Sequence, residues 1–200
     1  PAHNGGTACL KRPVGRAFYS YFGENLLRSD LSISVGELGS LLDHSGPIGE
    51  SEAYAARIFG ATRSYSVTNG SSTSNRVIFM ACVGRDDLAL VDRNCHKSLE
   101  QALTLTGAIP TYLTPSRNYL GIIGPIHPDR LTPDAINAAI AANPLALSRD
   151  QQPLHAVITN STYDGLCYHA TRVVELLEKS VDRIHFDEAW YGYARFNPIY

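Results

Sequence analysis

Short apolar runs alternate with stretches of helical periodicity along most of this chain, and that alternation limits its fold more than any other feature. The runs fall at 64–68, 88–92, 109–113, 155–160 and 183–186. Helical spacing of apolar residues appears over 47–59, 72–82, 97–106, 133–142 and 170–179. Such alternation favours a parallel sheet covered on both faces. The expected fold class is therefore α/β, a parallel-dominated sheet flanked by helices. The helix over 47–59 carries Ala53, Ala56 and Phe59 at helical spacing and ends at Gly60, a C-cap. The first 45 residues are rich in glycine and aromatics and show weak periodicity, with a short helix expected near 35–42. The stretch 143–153 reads as a surface loop. There is no internal repeat and no low-complexity segment.

At 200 residues the chain is one domain's worth of material, long enough to bury a core. A net charge of -2 gives no electrostatic reason to expect nucleic acid or an anionic membrane as partner. No apolar run approaches the ~20 residues of a membrane span. The 4 cysteines (Cys9, Cys82, Cys95 and Cys167) are scattered with no CxxC pair, so reduced thiols in a cytoplasmic protein are expected. The 7 histidines do not cluster at metal-ligand spacing, and no metal is expected. The chain opens on Pro1, without an initiator methionine or a signal-peptide pattern, and reads as a segment of a longer protein.

In open α/β sheets, ligands bind beyond the carboxyl ends of the strands. Polar segments follow expected strands at 69–73, 92–96, 160–164 and 187–190, so they converge on one rim. Ser71, Ser72 and Thr73 follow Gly70 between a strand and a helix. Free N–H groups and the helix dipole favour a phosphate there, although a plain hydroxyl N-cap fits the same residues. The turn is neither a Walker loop nor GxGxxG. His96 can stack on a heteroaromatic ring, or it can be a structural histidine bonded to backbone. Asp187 ends the run Ile184-His185-Phe186. It can pair with a pyridine nitrogen and keep that ring protonated, a better electron sink, or it can cap a helix or form an ion pair. Ala189 is small enough to let a ring approach. Trp190, the only tryptophan, either packs at a cofactor edge or serves the core. The segment 161–165 reads first as a turn and second as a hydroxyl donor towards a cofactor. A phosphate turn, an imidazole and a carboxylate are three of the four parts of a pyridoxal 5′-phosphate site. The fourth, a Schiff-base lysine, has no convincing candidate among these residues.

Longer strings carry a resemblance. They are PAHNGG at 1–6, SLLDHSGP at 40–47, AARIFGA at 55–61, DRNCHKS at 92–98, PSRN at 115–118, TNSTYDG at 159–165 and HFDEAWYGYARFNPIY at 185–200. With them the chain resembles, nearly end to end, the bacterial ornithine/lysine/arginine decarboxylases. These are pyridoxal phosphate enzymes of the aspartate aminotransferase fold, fold type I. The resemblance implies that Ser71 and Ser72 bind the phosphate, with a serine where the family more often has threonine. It implies that His96 stacks on the ring, that Asp187 pairs with the ring nitrogen, and that Ala189 and Trp190 line the cofactor pocket. The family's Schiff-base lysine lies in a Ser-x-His-Lys motif expected beyond residue 200; neither Lys97 nor Lys179 matches it. The implied organisation is a lead-in segment over 1–45 and a partial cofactor-binding major domain over 46–200, the N-terminal part of a fold type I major domain. Homodimers that build higher homo-oligomers are also implied.

The expected activity of the parent protein is decarboxylation of a basic amino acid. L-Arginine, giving agmatine, is preferred because 15–30 and 187–200 are closer to the arginine-acting branch. Lysine and ornithine are the alternatives within the family. A different class of reading is a non-catalytic fragment or interaction module without the lysine. Transamination or aldol-type cleavage on the same cofactor is a third, against which the family strings argue. Alone, the 200-residue chain is expected to expose a sheet edge and to aggregate or fold only in part.

Overall fold

The computed structural model describes residues 5–30, 36–148 and 150–200. These form two compact units, Pro1–Ser66 and Val67–Tyr200. The first contains helices α1 (Pro13–Phe22), α2 (Glu24–Arg28) and α3 (Gly46–Phe59). Pro47 lies in the first turn of α3, where a missing N–H costs nothing. Gly60 closes the helix in a left-handed conformation, as expected. Its N–H donates to Arg57 O at 3.3 Å and the Ala61 N–H donates to Ala56 O at 2.9 Å, the Schellman pattern. Instead of the helix expected near 35–42 there is a 3-10 turn over Gly36–Leu38; Val35 lies outside the described residues. Within the first unit, α3 packs with that 3-10 turn.

The strand expected over 64–68 is absent; those residues are irregular. The Ser66 N–H donates at 2.7 Å to Oε1 of the buried Glu52 on α3. A backbone group satisfied by a side chain has no need of a ladder partner.

The second unit runs α4 (Ser71–Cys82), β1 (Leu88–Asp92), α5 (Lys97–Thr106), β2 (Ile109–Leu113), α6 (Pro133–Ala141), β3 (Pro153–Thr159), α7 (Ala170–Leu177) and β4 (Ile184–Asp187). The strands form one 4-stranded sheet in the order β2-β1-β3-β4, and every pairing is parallel. Leu88 and Leu90 pack on one face with Ile136, Ile140, Val173 and Leu177. Ala89 and Val91 pack on the other with Phe79, Leu99 and Ala102. All of β1 is buried, which is why its apolar run is unbroken. Each fully buried leucine or valine there contributes about 1.5–3 kcal/mol. The expected surface loop over 143–153 ends at Pro153, which opens β3; a strand tolerates proline at its first position.

Candidate active site

The chain leaves β1 to form β2 on one side and places β3 on the other. The strand order therefore reverses between β1 and β3, where open α/β sheets bind ligands. Asp92, the last residue of β1, is 1% exposed and ties the two strands together. Its Oδ1 accepts from Asn94 N at 2.8 Å and its Oδ2 from Thr159 N at 3.2 Å. Burial pushes the Asp92 carboxyl above its ordinary range, while bonds from Asn94 and Thr159 pull it back. Burial, with the charges of Asp92 and Glu100, pushes the neighbouring Cys95 thiol up to about 11. A thiol held protonated is a poor nucleophile, so slow reaction is expected of Cys95.

The loop after Val67 delivers α4 to this rim. Gly70 precedes it at φ 76 and ψ -179, a conformation essentially confined to glycine. No side chain caps the helix. Thr73 N and Ser74 N turn back to Gly70 O at 3.0 and 3.2 Å. Ser71 and Ser72 are the first residues inside the helix, so the plain N-cap reading does not apply to them. Their N–H groups point out of the helix start, where an anion is favoured.

His96 is the N-cap of α5, and its Nδ1 accepts from Ser98 N at 3.2 Å. It is thus bonded to backbone, and it also lines the cavity described below. Ser98 Oγ lies 2.9 Å from the same nitrogen. Across the cavity Asp187, the last residue of β4, is 6% exposed. Asn75 Nδ2 donates to its Oδ2 at 2.8 Å and to Ser98 Oγ at 3.0 Å. Sequence reasoning missed Asn75 and Ser98. The available signal was an asparagine, a poor helix former, inside an expected helix, one turn after Ser71.

Beyond β4, Ala189 and Trp190 border the same space. Trp190 is 62% exposed with its ring 5.5 Å from that of Tyr163, so it does not serve the core. The 161–165 segment is a turn, as favoured, with Gly165 N donating to Thr162 O at 3.0 Å. Asn160, 1% exposed, donates from Nδ2 to Glu188 Oε1 at 2.7 Å, and its Oδ1 accepts from Tyr168 N at 2.9 Å. These bonds fasten the loops after β3 and β4 to each other.

Ser71, Ser72, His96, Asp187, Ala189 and Trp190, all singled out from sequence, line one cavity of about 450 Å³. Asn94, Cys95, Lys97, Thr159, Ser161, Thr162 and Tyr163 complete its wall. The volume suits a cofactor-sized molecule. The donor set also fits pyridoxal phosphate: an open helix start for a dianion, a flat imidazole, and a buried carboxylate for a ring nitrogen. Among the described residues no group of three or more His, Cys, Asp or Glu is placed to hold a metal ion. No helix among them is long and apolar enough to cross a membrane.

Comparison with known proteins places this geometry. A family model described as "Orn/Lys/Arg decarboxylase, major domain" matches residues 1–200. The chain is 57% identical over its whole length to the biodegradative arginine decarboxylase of Escherichia coli K12, and covers 27% of that protein. It is 58% identical, again over its whole length, to the lysine decarboxylase LdcA of Pseudomonas aeruginosa PAO1, and covers 27% of it. A solved structure of lysine decarboxylase A from Pseudomonas aeruginosa superposes on all of the chain with a TM-score of 0.95 at 57% identity, over 27% of that chain. The chain thus spans about a quarter of the length of the relatives it matches.

Proposed function

The chain belongs to the Orn/Lys/Arg decarboxylase major-domain family, and on that premise we propose that it forms the cofactor-binding part of a pyridoxal 5′-phosphate-dependent basic amino acid decarboxylase. The observation that carries the proposal is the convergence of an uncapped helix start, His96 and Asp187 on one cavity. In this reading the N–H groups and hydroxyls of Ser71 and Ser72 hold the phosphate. The His96 ring would hold the face of the cofactor, and the Asp187 carboxylate would pair with its ring nitrogen. Ala189 would leave room for the ring, and Trp190 would cover its edge. When bound, the cofactor supplies an electron sink for the bond that loses carbon dioxide. A carboxylate at the ring nitrogen keeps the ring cationic and so deepens that sink. The net reaction takes up one proton: L-arginine plus H⁺ gives agmatine and carbon dioxide.

L-Arginine is the substrate we infer, because the stretches 15–30 and 187–200 resemble the arginine-acting branch. L-Lysine is the second reading, favoured by the 58% identity with LdcA. A panel of L-arginine, L-lysine and L-ornithine with the full-length protein decides between them by kcat/KM. The role of the cavity is tested by titrating the full-length protein with pyridoxal phosphate, trapping with borohydride and mapping the adduct. The adduct is expected on a lysine outside the 200 residues of this chain. An adduct on Lys97 contradicts the assignment of the wall. Asp187→Ala is expected to lower turnover by orders of magnitude; near wild-type turnover with the cofactor bound refutes its role.

A further inference from the structure

We infer that Asn75 is a positioning residue for Asp187, and that Asn75 and Ser98 join Asp187 and His96 into one directional hydrogen-bond chain. The inference rests on the cofactor-site reading above and adds to it two residues that do not touch the ring. Asn75 is 3% exposed, Ser98 1% and Asp187 6%, so the links from Asn75 to Asp187 and to Ser98 are shielded from water, while His96 is half-buried at the cavity wall. In such surroundings an unmatched donor or acceptor is costly, and the direction of each bond matters.

The direction follows from the chemistry of the groups. Asn75 Nδ2 carries two N–H bonds and has two acceptors in reach, Asp187 Oδ2 at 2.8 Å and Ser98 Oγ at 3.0 Å. Turning the amide over would set its oxygen against an ionised carboxylate, acceptor against acceptor. An ionised Asp187 therefore demands the amide nitrogen where it stands. Ser98 Oγ accepts a hydrogen bond from Asn75, and its own O–H points at His96 Nδ1, 2.9 Å away, because that nitrogen is already an acceptor. The same nitrogen accepts the Ser98 N–H at 3.2 Å. Nδ1 is then purely an acceptor, and the imidazole proton sits on Nε2. With Oδ2 tethered to Asn75, Oδ1 is the oxygen of Asp187 left to meet a ring nitrogen. One amide thus sets which carboxylate oxygen faces the cofactor and, through Ser98, which tautomer lies on its ring.

The test separates positioning from mere folding of the site. In the full-length protein, Asn75→Ala removes both donors, and Asn75→Leu removes them with little change of shape and no new charge. Affinity for pyridoxal phosphate is read by absorbance titration, and affinity for inorganic phosphate by competition. Both variants are expected to bind pyridoxal phosphate about ten- to a hundredfold more weakly, the worth of a hydrogen bond to a charged group. Their affinity for inorganic phosphate should match wild type, since Ser71 and Ser72 are untouched. Equal loss of both affinities in both variants makes Asn75 a structural residue and overturns the inference. Unchanged pyridoxal phosphate affinity overturns it as well. Asp187→Ala is the control for the underlying reading. If that variant binds pyridoxal phosphate as wild type does, the site assignment itself fails. If it binds weakly while the Asn75 variants do not, only the Asn75 inference fails. A second readout needs no cofactor: in the free protein the His96 Nδ1 should show the ¹⁵N shift of an acceptor nitrogen, and Ser98→Ala should alter it.

Discussion

His155 is a buried cost that a single substitution should relieve, and the size of the relief should depend on pH. It lies on β3, 1% exposed, packed edge-on to Phe79 at 5.5 Å and beside His185 at 5.6 Å. Neither ring nitrogen has a hydrogen-bond partner among the described residues. Burial first, then the nearby charges of His185 and Arg183, push its pKa from the ordinary 6.5 down to about 4. An imidazole with a lowered folded pKa is protonated more readily in the unfolded chain. Its contribution to stability is therefore complete above pH 6.5 and is lost as pH falls towards 4. Between about pH 7.5 and 4.5 the loss from this residue is on the order of 2–3 kcal/mol, from the linkage relation. His155→Leu removes that dependence. It also removes two unpartnered buried nitrogens, so stability at neutral pH should be unchanged or higher by about 1–3 kcal/mol. Urea unfolding of the full-length protein and the variant, across that pH range, reads both effects. His185, whose pKa burial also lowers, remains in both proteins, so the difference reads His155 together with its coupling to His185. Two stability curves that run parallel from neutral pH into acid would refute the argument.

Three further outcomes are expected. Gly70→Ala should cost about 1–3 kcal/mol in urea unfolding, since glycine alone tolerates φ 76 with ψ -179. No neighbour lies within 4 Å of the added carbon, so the cost is conformational; Gly36→Ala, equally open and without a positive φ, should be nearly neutral. Cys95, held up to about 11, should be alkylated more slowly than the exposed Cys9 and Cys167 at mildly alkaline pH, and mass mapping that finds Cys95 labelled first would contradict its burial. Leu177→Ala should destabilise by about 2–5 kcal/mol, because the side chain is fully buried under the sheet; a change below about 1 kcal/mol would show that the cavity collapses.

The sheet and the rim were legible in the sequence because their signals are local. A strand buried on both faces, such as Leu88-Ala89-Leu90-Val91, must be apolar at every position, and such a run is visible without any partner. Left-handed Gly60 announces the end of α3 in the same way. Chemistry at the ends of parallel strands follows from topology, and Asp187 and His96 do line one cavity beyond β4 and β1; Ser71 and Ser72 line it too, although they follow a loop and not the expected strand. Tyr65 and Val67 misled for the complementary reason. Their composition suits a strand, but a strand exists only where an edge accepts it, and Ser66 N–H is satisfied by Glu52 instead.

The sequence by itself thus determined the α/β class, the order of the four strands and the helices between them, and six side chains that line one cavity. Only the tertiary structure decided how those side chains are held. Asn75 and Asp187 are 112 positions apart, and no periodicity relates them. They meet because α4 packs over the sheet and lowers its polar position onto the end of β4. Hydrogen bonds act over about 3 Å and depend on direction. Which donor finds which acceptor is therefore settled by packing, after the local signals of the chain have already chosen the fold.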